Sequence, residues 1–452
     1  MFDYLSSASP GRVAGVADVA AWGAALAAIE QTPGTGDPAV LVDLLSALED
    51  LKSAACAAQA RAAVAFAESC ERAEADAGVP ARRRGAGIAA QVALARRESP
   101  HRGGRLLGLA RALVREMPET LAALDAGLLN EWRATLVVRE TACLALEDRV
   151  AIDTELWTDP TAVATLGDKA LAAHVRAMAY RLDPHSVVDR AARAASERTV
   201  TLRPAPDTMT YLTALLPVAE GVATYAALTR AADGLRAEGD PRGRGQAMAD
   251  TLVERVTGQA KASDVRVRVN LVMTDTTLLA GSPEPGLVPG FGPIPAAVAR
   301  DLTLRDPALA TLRRLYTHPG TGRLVAMESR SRLFPAALAE FVTLRDQTCR
   351  TPWCDAPIRH RDHVEDHARG GPTTAVNAQG LCEACSYAKQ ARGWRCRPGA
   401  GGTVVTRTPT GHCYTSHTPD PPGRPPPRLR SSPEVEVVTS PLRLELAYDA
   451  AA

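Results

Sequence analysis

Two pairs of cysteines, Cys349-x4-Cys354 and Cys382-x2-Cys385, constrain this chain more than any other feature. Each pair is spaced so that a tight turn aims both sulfurs at one point, and four thiolates complete a closed tetrahedral shell for zinc. The module they enclose is too small to bury much surface alone, and a structural zinc supplies folding free energy on the order of 10 kcal/mol. Four cysteines leave no position open for substrate, so this zinc is expected to be structural. Cys396 and Cys413 lie nearby but outside the pattern, and Cys56, Cys70 and Cys143 read as small core residues.

The rest of the chain favours helix. Of its 452 residues 46% are hydrophobic but only 4% aromatic, which suits Ala-rich helices better than a sandwich built on aromatic cross-strand pairs. The net charge of +1 gives no whole-molecule field for nucleic acid or membrane, so any such claim must come from local charge. No apolar run approaches the roughly 20 residues of a membrane span, and the first 30 residues do not pattern as a leader. The expected setting is a reducing cytoplasm, where clustered cysteines hold metal more often than they form disulfides.

Periodicity predicts one long helix from Asp37 to Asp76, with Val40, Leu41, Leu44, Leu45, Leu48 and Leu51 at helical spacing. Further helices are expected over Val79–Arg97, Ser99–Val114 and Pro118–Ala142, and again within Pro217–Gly258, Ala296–Leu315 and Pro335–Leu344. Arg198–Arg203 and Val265–Met273 alternate as strands. The expected fold class is a mainly α N-terminal region with a small β element, spanning 1–280. A Pro/Gly-rich connector and helical link follow over 281–334, then a zinc-stabilised module over 335–400. Residues 401–452 read as a hairpin-like segment and a Pro-rich, disordered tail. The N-terminal helices carry no catalytic signature and read as scaffold or as a surface for self-association into a homo-oligomer.

Groups able to do chemistry lie inside the cysteine frame. Asp362-His363 closes a short strand, Arg359–Val364; Gly370, Gly371 and Pro372 make a loop; Asn377 precedes a second strand; Glu383–Arg392 reads as a helix. A neutral histidine can take a proton from water, while a carboxylate such as Asp362 anchors a hard cation against a scissile phosphate. Phosphodiester hydrolysis is the chemistry these types suit. Lys389, Arg369, Arg392 and Arg395 lie around the module as candidate phosphate contacts, although nine basic against seven acidic residues over 340–400 make it only mildly basic. Trp353 and Trp394 read as core residues, and His367 as a solvated loop histidine.

The stretch GGPTTAVNAQGLCEACSYAKQARGW resembles the HNH endonucleases, whose fold is the ββα-metal finger. With residues 92–144, YRLDP (180–184), TLRPAPDTMTYLTALLP (201–217) and LYTHPGTGRL (315–324), the chain is similar to bacterial proteins that join this finger to domain of unknown function 222, the 13E12 repeat family. The resemblance implies a DNA endonuclease with His363 as general base, Asp362 as ligand of a catalytic Mg²⁺ or Mn²⁺, and Asn377 as the residue that ties the loop and orients His363. It also implies structural zinc on Cys349, Cys354, Cys382 and Cys385. One position departs from the pattern: Ser386, a weak neutral ligand, stands where the family places its second metal ligand, His or Asn, and Gln390 one turn on could also reach the ion, so that Asp362, Ser386, Gln390 and substrate phosphate are the expected ligand set. The alternative function is a zinc-stabilised module that binds nucleic acid, or serves assembly, without cutting.

Overall fold

A computed structural model describes residues 15–27, 37–261, 271–304 and 334–419. The chain divides into two compact units, the first ending at Glu197 and the second running from Arg198, with Ala93–His101 counted in the second. The architecture is mainly helical, with small antiparallel sheets. No described helix is long and apolar enough to cross a membrane.

After a short helix α1 (Val16–Ala27), the expected long helix forms as α2 (Pro38–Asp76), started by the Asp37 carboxylate, which accepts from Ala39 N, and by a proline in its first turn. Its second half buries Ser53, Ala57, Ala60, Val64 and Ala67. These small residues, three and four apart, form a narrow stripe that lets neighbouring helices come close. The leucine-rich first half behaves otherwise. Leu41 and Leu45 are 51% and 68% exposed, so this stripe has no partner among the described residues.

The helix expected over Val79–Arg97 is interrupted. Gly85 and Gly87 adopt left-handed backbone, at φ 81° and 83°, and only α3 (Ile88–Ala95) remains helical beside a single tight turn at Ala81–Arg83. α4 (Pro100–Arg115) forms as expected, but Pro118–Ala142 divides into α5 (Pro118–Asp125) and α6 (Glu131–Thr141). The Asn130 side chain accepts from Arg133 N and so starts a new helix there. The first unit closes with α7 (Leu146–Leu156), α8 (Pro160–Thr165), α9 (Asp168–Leu182) and α10 (Pro184–Ser196). Its cores gather Val64, Leu113 and Leu124 in one cluster and Met117, Ile152, Leu171 and Val175 in another.

In the second unit β1 (Thr199–Pro204) pairs antiparallel with β2 (Thr210–Leu215). Pro217–Gly258 forms two helices, α11 (Val218–Ala237) and α12 (Arg244–Thr257), parted at Asp240-Pro241, where the Asp240 carboxylate binds Arg242 N and its guanidinium. Of the strand expected at Val265–Met273, residues 265–270 lie outside the described residues, and Val272 makes one bridge to Leu287. After α13 (Asp275–Leu279), the Pro/Gly-rich segment is not a plain connector: it folds into a hairpin, β3 (Gly286–Val288) with β4 (Gly292–Ile294), because its glycines and prolines supply a tight turn. α14 (Ala296–Leu304) follows. The LYTHPGTGRL stretch and the Pro-rich tail fall outside the described residues.

α15 (Ala336–Asp346) leads into the cysteine module: β5 (His360–His363), β6 (Ala378–Leu381) and α16 (Glu383–Gln390). β5 and β6 pair antiparallel with Asp362 opposite Gln379 and His363 opposite Ala378. A three-stranded antiparallel sheet follows, β7 (Arg395–Pro398), β8 (Val404–Arg407) and β9 (Cys413–Ser416), so the hairpin-like segment beyond 400 continues the sheet begun before it.

Buried charge fastens this module together. Asp346, its side chain fully buried, accepts from Arg345, from Arg350 Nη1 at 3.1 Å and from Gly380 N at 2.7 Å. Arg345 also donates to the carbonyls of Ala375 and Ala378, and Arg350 to those of Gly402 and Ser416. One carboxylate thus links α15, β6 and, through Arg350, the last sheet.

Candidate metal centre and acidic corner

The four frame cysteines meet. Cys349, Cys354, Cys382 and Cys385 are all buried, and their sulfurs lie within 4.8 Å of one another. Cys354 and Cys382 Sγ stand 3.5 Å apart, and Cys354 and Cys385 Sγ 3.7 Å. A tetrahedron of Zn–S bonds has edges of about 3.8 Å, so the donor set fits zinc closely. Local backbone explains the convergence. Cys382 is the N-cap of α16, its sulfur accepting from Cys385 N at 3.4 Å, while Cys349 N donates to Ala356 O and Cys354 N to Thr351 O to fold the other knuckle. Contacts from the Cys349, Cys354 and Cys385 thiols hold the Cys382 thiol far below its usual range, whereas contacts led by Cys349 and including Cys382 push Cys354 and Cys385 far above theirs. A dication would relieve that competition by accepting four thiolates. Of the leftover cysteines, Cys396 is half-buried against Thr406 and Cys413 is exposed.

On the same hairpin, His363 ends β5 and is only 8% exposed. Its Nε2 lies 2.8 Å from Thr373 Oγ1, the Phe334 ring packs 4.5 Å away, and the His367 ring stands edge-on at 5.4 Å. Asn377 closes the loop after His363. Its Oδ1 accepts from Glu365 N at 2.8 Å, and its Nδ2 donates to Glu365 O at 3.0 Å and to Pro372 O at 2.8 Å. The buried amide thereby satisfies three backbone groups of the loop. Gly371 is required beside it, because a Cβ there would collide with the Glu365 carbonyl oxygen and press on Asn377 Nδ2 at 2.8 Å.

Asp362 meets Lys389 rather than Ser386 or Gln390. The Lys389 ammonium donates to Asp362 Oδ2 at 2.8 Å, Asp366 Oδ1 at 2.7 Å and His363 O at 2.5 Å, and its side chain is 8% exposed. Burial opposes its charge, but the bonds and charges of Asp362 and Asp366 outweigh that and raise its pKa. Ser386 is buried, Gln390 is exposed, and neither bonds Asp362. The donors expected for a catalytic Mg²⁺ or Mn²⁺ are therefore not gathered on one point, and the carboxylates already hold a cation.

Beside this corner is a cleft of about 350 Å³, lined by Asp366, Arg369, Lys389, Trp394, Arg395 and Arg397 among others. Of the sequence-predicted phosphate contacts, Arg369, Lys389 and Arg395 line it; Arg392 is exposed but does not. Sequence reasoning missed Arg397, whose signal was the alternation Arg395-x-Arg397 along β7. Trp394 is buried as expected, whereas Trp353 is 43% exposed and packs edge-on to Tyr414.

These features define a mainly helical chain that ends in a four-cysteine centre beside a short hairpin and helix. The pattern described as "Domain of unknown function (DUF222)" matches residues 49–346, and the chain belongs to that family. It is similar to two proteins of Mycobacterium tuberculosis. The uncharacterized protein Rv3776 of strain ATCC 25618 / H37Rv is 36% identical over 143 residues, 30% of this chain and 25% of the relative. The uncharacterized protein MT2160 of strain CDC 1551 / Oshkosh is 37% identical over 133 residues, 28% of this chain and 22% of the relative. The matched stretch thus spans about a quarter of each relative's length. No solved structure matches the chain.

Proposed function

We propose that the C-terminal module is an HNH-type finger and that the protein is a DNA endonuclease with His363 as general base. The observation that carries this reading is the Asn377 amide, which binds both backbone groups of Glu365 and the Pro372 carbonyl and so fixes the loop that follows His363. A hairpin ending in Asp-His, a loop tied by a buried Asn, and a helix capped by a cysteine of a four-sulfur centre together suit a ββα finger. Zinc on Cys349, Cys354, Cys382 and Cys385 would hold the fold without touching substrate.

In this reading Thr373 holds the His363 ring through Nε2. Water gives a proton to His363, its oxygen attacks phosphorus, the P–O bond to the leaving oxygen breaks, and that oxygen takes a proton from solvent. Arg369 and Arg392, with Arg395 and Arg397 on β7, would draw the DNA backbone to the cleft by salt-dependent contacts that do not read sequence. No step is assigned to a catalytic divalent ion, because Ser386 and Gln390 do not join Asp362 and the Lys389 ammonium already binds its carboxylate. The N-terminal helices would serve as scaffold or self-association surface.

A second reading, binding without cleavage, draws on the slight exposure of His363 and on the lysine at Asp362. Plasmid nicking by the zinc-loaded chain beside His363→Ala separates the two.

A further inference from the structure

The acidic corner of the finger is built for a cation. Asp362 at the end of β5, Asp366 in the loop and the His363 carbonyl place three oxygens around one point, within 2.5 to 2.8 Å of what occupies it. Such an all-oxygen set is what a hard divalent ion takes. Here the occupant is Lys389 Nζ, and the three N–H donors of the ammonium match the three oxygens one for one.

The sequence explains how the lysine gets there. Lys389 follows Ser386 by three positions, on one face of α16, so the helix that would present a metal ligand from position 386 presents an ammonium one turn later. Among the chain's four lysines it is the single one in this module; its stem is buried and its charge is answered twice. Neither Ser386 nor Gln390 completes a ligand set with Asp362. A divalent ion entering this corner would sit within about 3 Å of a positive charge, so it could bind only by displacing Lys389.

We propose that Lys389 is the resident cation of this site, standing where a divalent ion would otherwise sit, so that the finger takes up no divalent ion at Asp362. This inference concerns what fills the corner and stands apart from whether the finger cuts DNA.

Mn²⁺ uptake by the zinc-saturated full chain tests it, followed by the electron paramagnetic resonance signal of free Mn²⁺ and by calorimetry. The wild-type chain is expected to show no Mn²⁺ site sensitive to Asp362→Asn. Lys389→Met, which keeps the buried stem and removes the charge, is expected to tighten Mn²⁺ binding by about tenfold or more. Lys389→Arg should behave as wild type, and adding Asp362→Asn to Lys389→Met should abolish the gain. Wild-type binding of one Mn²⁺ per chain that is lost in Asp362→Asn would overturn the proposal. A folded Lys389→Met chain that binds no more Mn²⁺ than wild type would overturn it equally, because the carboxylates would then make no cation site. If Lys389→Met does not fold, the comparison of wild type with Asp362→Asn decides alone.

Discussion

Lys389 places its ammonium 2.8 Å from the carboxylate of Asp362, joining the end of α16 to the end of β5 across the strand pair that carries His363. The same nitrogen reaches Asp366 in the following loop. Helix, strand and loop are thus tied by one side chain at the edge of the candidate site. The four-cysteine frame holds α16 at its start through Cys382 and Cys385, and Lys389 fixes it near its end.

The frame predicts a metal content. The zinc-supplemented chain should carry about one tightly held zinc, and Cys382→Ser should lose it and lower the melting temperature of the module, because structural zinc contributes on the order of 10 kcal/mol to such folds. Elemental analysis with a thermal melt reads both. A fully folded chain free of zinc would contradict the frame.

Asp346 predicts a stability effect that does not depend on metal. Its buried carboxylate holds Arg345 and Arg350, and Arg350 is itself buried. Asp346→Asn leaves two guanidinium groups without their counter-charge and should cost about 3–5 kcal/mol in denaturant unfolding of the module. A loss under about 1 kcal/mol, the range of exposed pairs, would show that the network is not structural.

Glu140 predicts a pH dependence in the helical unit. Burial raises its pKa, but bonds from Arg176 at 3.1 Å and Arg139 at 2.9 Å, with their charges, outweigh this and hold it below the usual 4.5. A carboxylate depressed in the folded state adds stability above its unfolded pKa and loses it as pH falls through the folded value. Glu140→Gln should therefore be less stable than wild type at pH 7, by about 1 kcal/mol because both arginines are half-exposed, and the two should converge as pH falls through the depressed folded value of Glu140. Melts across pH read this; a gap that widens on acidification would contradict it.

The convergence of the four cysteines was legible from spacing alone, since two tight turns aim their sulfurs whatever the rest of the chain does. Asp362, His363 and Asn377 also fall on one hairpin, as their order along the chain suggested. Lys389 was not legible in that role. As a surface phosphate contact it needed only a helix, whereas its bond to Asp362 depends on how α16 meets β5, a tertiary relation 27 residues apart in sequence. The Asp346 network was missed although Asp346 and Arg350 stand four apart, because Gln347, in left-handed backbone at φ 61°, ends the helix between them. Pattern likewise overstated helix at Val79–Arg97, since apolar periodicity does not register the left-handed backbone that Gly85 and Gly87 adopt.

Nicking of supercoiled plasmid by the zinc-loaded wild-type chain and by His363→Ala, each with Mn²⁺ and with chelator, tests the central claim most directly. Wild type should nick, and His363→Ala should be slower by about a hundredfold or more, the contribution of a general base. Equal nicking by both chains, or none by folded wild type in either condition, would contradict the assignment of His363 as the base of a DNA endonuclease.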